Sequence, residues 1–447
     1  MNTKVTSKTP GLRDVFFALR DRKVFLTLLL GFSAGLPFML TGNTMGMWLR
    51  DEGTTLSAIG FLSWVGLAYS FKFLWAPILD KTSVPILARL GHRRSWILLS
   101  QIIICSGLLL MGIVGPDGGL LAFAVFAVVV AFASATQDIA LDAWRIESAE
   151  TDEKLALISS AFLLGYRGAL LITDALILIV VAKSGWHISY VVLAGAMCIG
   201  ITATLFAVEP PDRRTGENIK KMIWSLSGVF DAIAGPFIAF FKTHGKSALL
   251  MLVAISMYRL ADFVMGPMAG PLYIDVGISK EIIGTVRATN GLIATIAGVA
   301  LAGICAIRFG FVPTLIVGAI LGPGSNLAFS VLAWSGGDLW VFNIAMIIDN
   351  FSGGFSGTAL VAWMSSLTSV GYTASQYALM SSFYAILGKF LKGFSGQVVD
   401  MLEKTTDLMN AYAIFFAGTA LIGIPALILC LMVSRTLARE RARSASG

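Results

Sequence analysis

The sequence is poor in charge. Asp, Glu, Lys and Arg make up only 13% of its 447 residues, about half the share of a soluble domain. That shortage excludes a soluble globular enzyme, a disordered chain and a nucleic-acid binder, each of which needs a charged, hydrated surface. Cysteines number four. Cys105, Cys198, Cys305 and Cys430 all fall in apolar stretches without metal-ligand spacing, so neither a disulfide framework nor a metal site is expected. The three histidines, His92, His187 and His244, lie in separate connections, so the sequence offers no two-histidine metal site and no Ser–His pair. A phosphate-binding loop is also missing. Gly245-Lys246-Ser247 has the right ending, but Phe240 stands where the earlier glycine is required. This argues against an ATP-driven pump and, with the other absences, against an enzyme.

What is abundant is apolar: 56% of the residues are hydrophobic and the mean hydropathy is +0.81. A membrane-spanning helix needs about 20 mainly apolar residues, because its backbone must satisfy its own hydrogen bonds across roughly 30 Å of hydrocarbon. Twelve such runs are expected, near 24–49, 57–79, 95–114, 120–143, 155–182, 188–208, 247–270, 280–306, 311–334, 339–365, 374–400 and 411–434. Of the 33 Lys and Arg, only Arg50, Lys183, Lys280 and Lys404 fall in connections on one side. Most of the rest fall on the other side, which places both termini in the cytoplasm. The basic start, Met1–Lys23, leads into an uncleaved first helix, and the tail Arg435–Arg443 is an orientation signal with some attraction to anionic lipid.

The longest polar interruption is 209–246, with the breaker Pro210-Pro211-Asp212-Arg213-Arg214. It divides the chain into an N-terminal six-helix bundle at 1–208, a cytoplasmic linker at 209–246 and a C-terminal bundle with its tail at 247–447. Apolar spacing over Asn218–Lys242 suits an amphipathic helix lying on the inner surface. A loose internal repeat supports the division. Ser159-Ser160 precedes Gly165-Tyr166-Arg167 in the fifth span, and Ser381-Ser382 precedes Gly388-Lys389 in the eleventh. The expected fold is all-α, integral to the membrane, with parallel repeats as in major-facilitator transporters. The connection Asp80-Lys81…Arg89-Leu90-Gly91-His92-Arg93-Arg94 resembles the charged signature of that superfamily, in which Asp80, Arg93 and Arg94 act as a latch between helix ends. Ordinary orientation charge is the alternative.

Ionisable groups inside spans are costly, about 2.5–3.5 kcal/mol each at a helix centre on insertion scales, so they should face a cavity or a partner. Lys72, Asp138, Asp142, Arg167, Asp174, Arg259, Asp262, Arg287, Asp349, Lys389 and Lys392 are all so placed, which points to a wet pathway. Asp138 and Asp142 stand one turn apart, about 6 Å along one helix face. Two such carboxylates disfavour joint ionisation, which suits proton coupling; pairing of Asp142 with Arg145 is the structural alternative. Arg259 and Asp262 can pair across a turn or contact ligand. Arg167, Lys72, Arg287 and Lys389 have no partner within one turn of sequence and suit an anionic or carboxylate-bearing ligand. Gln137, Asn290 and Gln376 are amides needing polar company, Asp349 adjoins Asn350 and a glycine pair, and Tyr166 can stack on a sugar ring or simply pack.

Several segments together resemble the AmpG-type muropeptide permeases of the major facilitator superfamily. They are Phe71-Lys72-Phe73-Leu74-Trp75-Ala76-Pro77, Thr136-Gln137-Asp138-Ile139-Ala140-Leu141-Asp142-Ala143-Trp144, Leu164-Gly165-Tyr166-Arg167, Tyr258-Arg259-Leu260-Ala261-Asp262 and Gln376-Tyr377-Ala378-Leu379-Met380-Ser381-Ser382. The resemblance implies a bacterial inner-membrane importer of N-acetylglucosaminyl-1,6-anhydro-N-acetylmuramic acid and its peptides. It would serve cell-wall recycling, feed β-lactamase induction, and run on the proton gradient with no other cofactor. It also implies that Asp138 and Asp142 couple protons and that Gln137 lies at the substrate. A monomer in the bilayer is expected, with no nucleic-acid partner. Rival readings are a permease of the same fold for another amphiphilic anion, peptide or acyl-CoA, a non-transporting sensor of wall fragments and, third, a polytopic membrane enzyme.

Overall fold

The computed structural model describes residues 21–76, 79, 82, 84–150, 152–210, 238, 240–245, 247–367, 380 and 384–446, and among them there is no strand. Helix α1 (Arg22–Leu40) continues, after a break at Thr41-Gly42, into α2 (Asn43–Asp51). Helix α3 (Leu56–Leu62) begins at Thr55, whose hydroxyl accepts from the Ala58 N–H. It passes into short tight turns that end at Lys72–Leu74. There follow α4 (His92–Val114), α5 (Leu120–Ser148), α6 (Asp152–Leu171), a π-helical turn at Ile172–Leu176 and α7 (Ile177–Phe206). Beyond the linker come α8 (Ser247–Tyr258), α9 (Leu260–Asp275), α10 (Lys280–Val286), a second π-helical turn at Arg287–Gly291 and α11 (Leu292–Phe309). The last four are α12 (Phe311–Trp334), α13 (Leu339–Ser366), α14 (Ser395–Glu403) and α15 (Leu408–Ser446).

Among the described residues, nine helical stretches are long and apolar enough to cross a membrane. One of them, Ala161–Phe206, has 46 residues. That is about 69 Å at 1.5 Å per residue, more than twice the hydrocarbon thickness. Gly185 interrupts it with φ 78° and ψ 170°, a left-handed value open to glycine, so this stretch holds the expected fifth and sixth spans. The other eight coincide with expected runs. The expected second run is a shorter apolar helix, Leu56–Phe71. Of the eleventh, 374–379 and 381–383 lie outside the described residues, as does nearly all of the expected amphipathic helix Asn218–Lys242.

Two compact units emerge, and they do not run in sequence order. One gathers the described residues of Met1–Leu40, Lys72–Thr173 and Trp186–Thr215, the other those of Thr41–Phe71, Asp174–Gly185 and Gly216–Gly447. In the first unit α1 lies along α6 and touches α5, while α4 lies along α5. Its core includes Leu30, Ala34, Ile97, Leu141 and Trp144. In the second, α12 packs against both α13 and α15, and α11 against α13, around Met251, Ile255, Tyr258, Leu315 and Trp363. Both units use glycine where backbones meet. A Cβ at Gly165 of α6 would overlap the Leu28 carbonyl of α1, and one at Gly298 of α11 the Phe351 carbonyl of α13. Lipid tails are as apolar as the helices, so close backbone approach rather than hydrophobic burial holds such contacts.

Candidate functional site

In the first unit the charged residues of α5 meet the end of the second apolar segment. Lys72 Nζ lies 3.9 Å from Asp142 Oδ2, and Arg145 Nη2 donates to Asp142 Oδ1 at 3.1 Å. Arg145 also lies over the Phe162 ring, 5.0 Å from its centroid. Asp138, one turn earlier, is half-buried, and Lys72 and Asp142 are the charged groups acting on it. The structure therefore brings Lys72, Asp138 and Asp142 together, and Arg145 completes a balanced set of two cations and two carboxylates. Such a set can exchange a proton or admit a ligand carboxylate by trading one internal pair for an external one.

Gln137 is fully buried. Its amide donates to Ser33 Oγ at 2.9 Å, and the same hydroxyl accepts from Gln101 Nε2 at 3.2 Å. Thr204 in turn donates to Gln101 Oε1 at 2.7 Å. This chain of polar contacts links α1, α4, α5 and α7, and the Gln137 Oε1 atom has no hydrogen-bond partner within it. Tyr166 packs half-buried against the α1/α5 core, while its neighbour Arg167 is exposed.

Of the three residues expected to form a latch, Asp80 lies outside the described residues. Arg93 is 8% exposed and donates from Nε and Nη2 to the two oxygens of Glu147 at 3.0 and 2.7 Å. Arg94 donates to the carbonyls of Thr204 and Leu205 at 2.9 and 2.7 Å, satisfying the open end of α7. The Glu209 carboxylate accepts from the backbone N–H groups of Arg93 and Arg94 at 2.7 and 3.0 Å, at the positive end of the α4 dipole. Glu147 and Glu209 were missed by sequence reasoning because their partners are 54 and 116 residues away.

The second unit holds another intramembrane charge cluster. Arg259 Nε pairs with Asp262 Oδ2 at 2.7 Å, as their spacing predicts. Arg287 pairs with Asp174 Oδ1 at 3.0 Å, 113 residues away in sequence, and lies over the Tyr273 ring. Both members of this pair sit in the π-helical turns, Ile172–Leu176 and Arg287–Gly291, a local distortion frequent at functional sites. Asp349 Oδ1 lies 3.4 Å from Ser325 Oγ, whose hydrogen is also shared with the Gly322 carbonyl at 2.6 Å. Asn290 donates to Asn343 at 2.8 Å, Lys389 donates to Ser70 at 2.9 Å, and Gln376 lies outside the described residues. Arg259, Asp262 and Asp349 are thus gathered, while Asn290 and Lys389 serve other contacts.

At the Asp51 end of α2 the second unit is tied by further polar contacts. Arg50 Nε pairs with Asp275 Oδ1 at 2.7 Å, and Tyr412 Oη donates to the other oxygen at 2.7 Å. Lys280 pairs with Asp51. The Ser57 N–H donates to Asp400 at 2.9 Å.

These features have relatives. A family profile described as acetyl-coenzyme A transporter 1 matches residues 23–118. The chain is 33% identical over 418 residues to the anhydromuropeptide permease of Escherichia coli (strain K12), covering 93% of this chain and 80% of that one. Putative transporter AmpG 4 of Rickettsia conorii is 30% identical over 417 residues, covering 93% and 97%. Among solved structures, the nucleoside transporter NupG superposes with a TM-score of 0.68 at 16% identity, covering 92% of this chain and 99% of that one. A bacterial homolog of the human lysosomal transporter Spinster does so at 0.65 with 12% identity, covering 96% and 99%. The structural likeness carries the fold and the sequence identity carries the kinship: this multi-pass membrane permease belongs to the AmpG-type muropeptide permease family of the major facilitator superfamily.

Proposed function

We propose that the protein imports peptidoglycan breakdown products, N-acetylglucosaminyl-1,6-anhydro-N-acetylmuramic acid and its peptides, across a bacterial inner membrane by alternating access. The observation that carries this reading is the 33% identity to an anhydromuropeptide permease over nearly the whole chain. The cargo bears carboxylates and sugar hydroxyls, and Lys72 and Arg145 around Asp142 offer cations to the one and hydrogen bonds to the other. Twelve spans in two repeats, both termini cytoplasmic, a single subunit and no cofactor beyond the proton gradient complete the proposal, as does a role in cell-wall recycling and β-lactamase induction.

Coupling is assigned to Asp138 with Asp142. A proton entering from outside neutralises Asp138 or Asp142 beside Lys72, changes the charge of the set and permits inward reorientation. A potential of 100 mV contributes about 2.3 kcal/mol per charge, or roughly 50-fold accumulation with one proton. The test is uptake of labelled disaccharide into proteoliposomes under an inward proton gradient. We expect accumulation that collapses with an uncoupler and in Asp138→Asn. Gradient-driven uptake untouched in Asp138→Asn and Asp142→Asn would remove these carboxylates from the coupling step.

The match of residues 23–118 to the acetyl-coenzyme A transporter profile favours one second reading, a permease for an acyl-CoA. Competition separates the two: unlabelled acetyl-CoA should leave disaccharide uptake unchanged, and inhibition would support the rival.

A further inference from the structure

The cluster in the second unit has one more carboxylate than it has cations. Arg259 is taken by Asp262 and Arg287 by Asp174. Asp349, in the middle of α13, has only the Ser325 hydroxyl, at a long 3.4 Å, and no ion pair among the described residues. The charged and titratable groups that act on it are Asp262, Arg287 and Arg259, with Tyr273 of α9 also within electrostatic reach. Asp174 joins through Arg287, which it shares electrostatically with Asp349. Of the elements packed against α13, α9 and its leading residue thus contribute Arg259, Asp262 and Tyr273. The second π-helical turn contributes Arg287, and α12 only the Ser325 hydroxyl. With every carboxyl ionised the set would hold an uncompensated negative charge inside the membrane, an arrangement that chains avoid or put to use.

We infer that Asp349 is a second proton-binding carboxyl of the transport cycle and that Arg287 is its exchange partner. This inference rests on the proposed proton coupling and extends it to a site that coupling at Asp138 does not require. A protonated Asp349 is compatible with the observed arrangement, Arg287 on Asp174 and Ser325 beside Asp349. When the proton leaves to the inner aqueous phase, the bare Asp349 carboxylate competes for Arg287 and loosens its bond to Asp174. Because Asp174 and Arg287 sit in separate π-helical turns, loss of that bond frees two spans from each other. Proton release and helix movement are then one event. A proton taken up from the outer phase restores the pair.

The test uses the purified full chain in two measurements. In proteoliposomes, proton uptake on addition of the disaccharide is read with an entrapped pH dye, and substrate exchange is read by counterflow. In the absence of substrate, infrared difference titration reads protonated carboxyl groups. Asp349→Asn should abolish substrate-linked proton flux and gradient-driven accumulation, retain counterflow, and lose one protonated-carboxyl band. Ser325→Ala should keep flux and band with the pH midpoint displaced. Where Asp349→Asn does not assemble, Asp349→Glu is read instead, and it should keep coupling with a displaced midpoint. Wild-type proton flux that persists in Asp349→Asn, or an unmoved midpoint in Asp349→Glu, overturns this inference alone. Absence of proton flux in the natural protein overturns it together with the coupling it rests on.

Discussion

At the scale of single residues, charge placement decides which contacts are structural. Arg93 is buried while Glu147 is partly exposed, and the two oxygens of Glu147 both accept from it. Glu147→Gln leaves a guanidinium with a poorer acceptor, and hydrogen bonds to charged groups are worth about 1.5–3 kcal/mol. A clear fall in the thermal unfolding midpoint in detergent is expected, with Glu147→Asp an intermediate case. Glu150 behaves differently. A hydrogen bond from Lys154 at 2.7 Å and the charges of Lys154 and Lys23 hold its carboxyl below the ordinary range. A carboxyl depressed in this way adds stability above its unfolded-state pKa and loses it as the pH falls through its folded value. Both partners of the 2.7 Å pair are solvent-exposed and screened. Glu150→Gln should therefore lower the unfolding midpoint slightly at neutral pH and leave it unchanged in acid, removing a shallow acid-side slope from a plot of midpoint against pH.

At the scale of elements, the units depend on glycines that let helix backbones touch. Gly165 faces the Leu28 carbonyl and Gly31 the Phe162 carbonyl, so α1 and α6 meet at two points just under one turn apart. Gly165→Val must push α1 away, and overpacking of this kind costs about 1–3 kcal/mol. Gly168→Ala, which meets open space, should be tolerated; unfolding midpoints of the two variants make the comparison. Much of this level was legible in the sequence. Apolar runs located most spans because a helix in lipid must be continuous and apolar, and the i,i+3 spacing of Arg259 and Asp262 correctly anticipated their pair. The closeness of Lys72 to the α5 carboxylates was not anticipated, since nothing in spacing joins residues 70 apart. What spacing could not reveal was Asp174–Arg287 or Arg93–Glu147, whose members come from distant segments. The π-helical turns were likewise invisible, because Ile172–Leu176 and Arg287–Gly291 carry no residue type that demands them. Gln137 shows the same limit in reverse: an amide in a span needs a polar partner, but sequence alone did not say that Ser33 would supply it.

At the scale of the whole molecule, the second unit joins segments that are far apart in sequence. It takes Thr41–Phe71 and Asp174–Gly185 from before the linker and places them with residues after it. The ties are polar, and apart from the buried Tyr412 they are partly exposed: Arg50 and Tyr412 on Asp275, Lys280 on Asp51, and Ser57 on Asp400. A permanently closed interface would be better served by apolar packing, since removing charges from water offsets much of their attraction. Under the proposed alternating access, polar ties that can be rehydrated suit contacts made and broken in each cycle. Lys280 and Asp51 test this directly, because their side chains are about one-quarter exposed and tolerate substitution. Asp51→Lys sets two ammonium groups against each other. If the pair contributes about 1.4 kcal/mol to this arrangement, its population falls about tenfold, and uptake slows while the fold persists. Adding Lys280→Asp to the same chain rebuilds the pair with its charges exchanged and should recover most of the rate. The two single reversals and the double reversal form a cycle whose coupling term isolates the pair from the rest of the end. A double variant as slow as the two single effects combined would mean that the ion pair is incidental, and that Arg50, Tyr412 and Asp275 hold this end on their own.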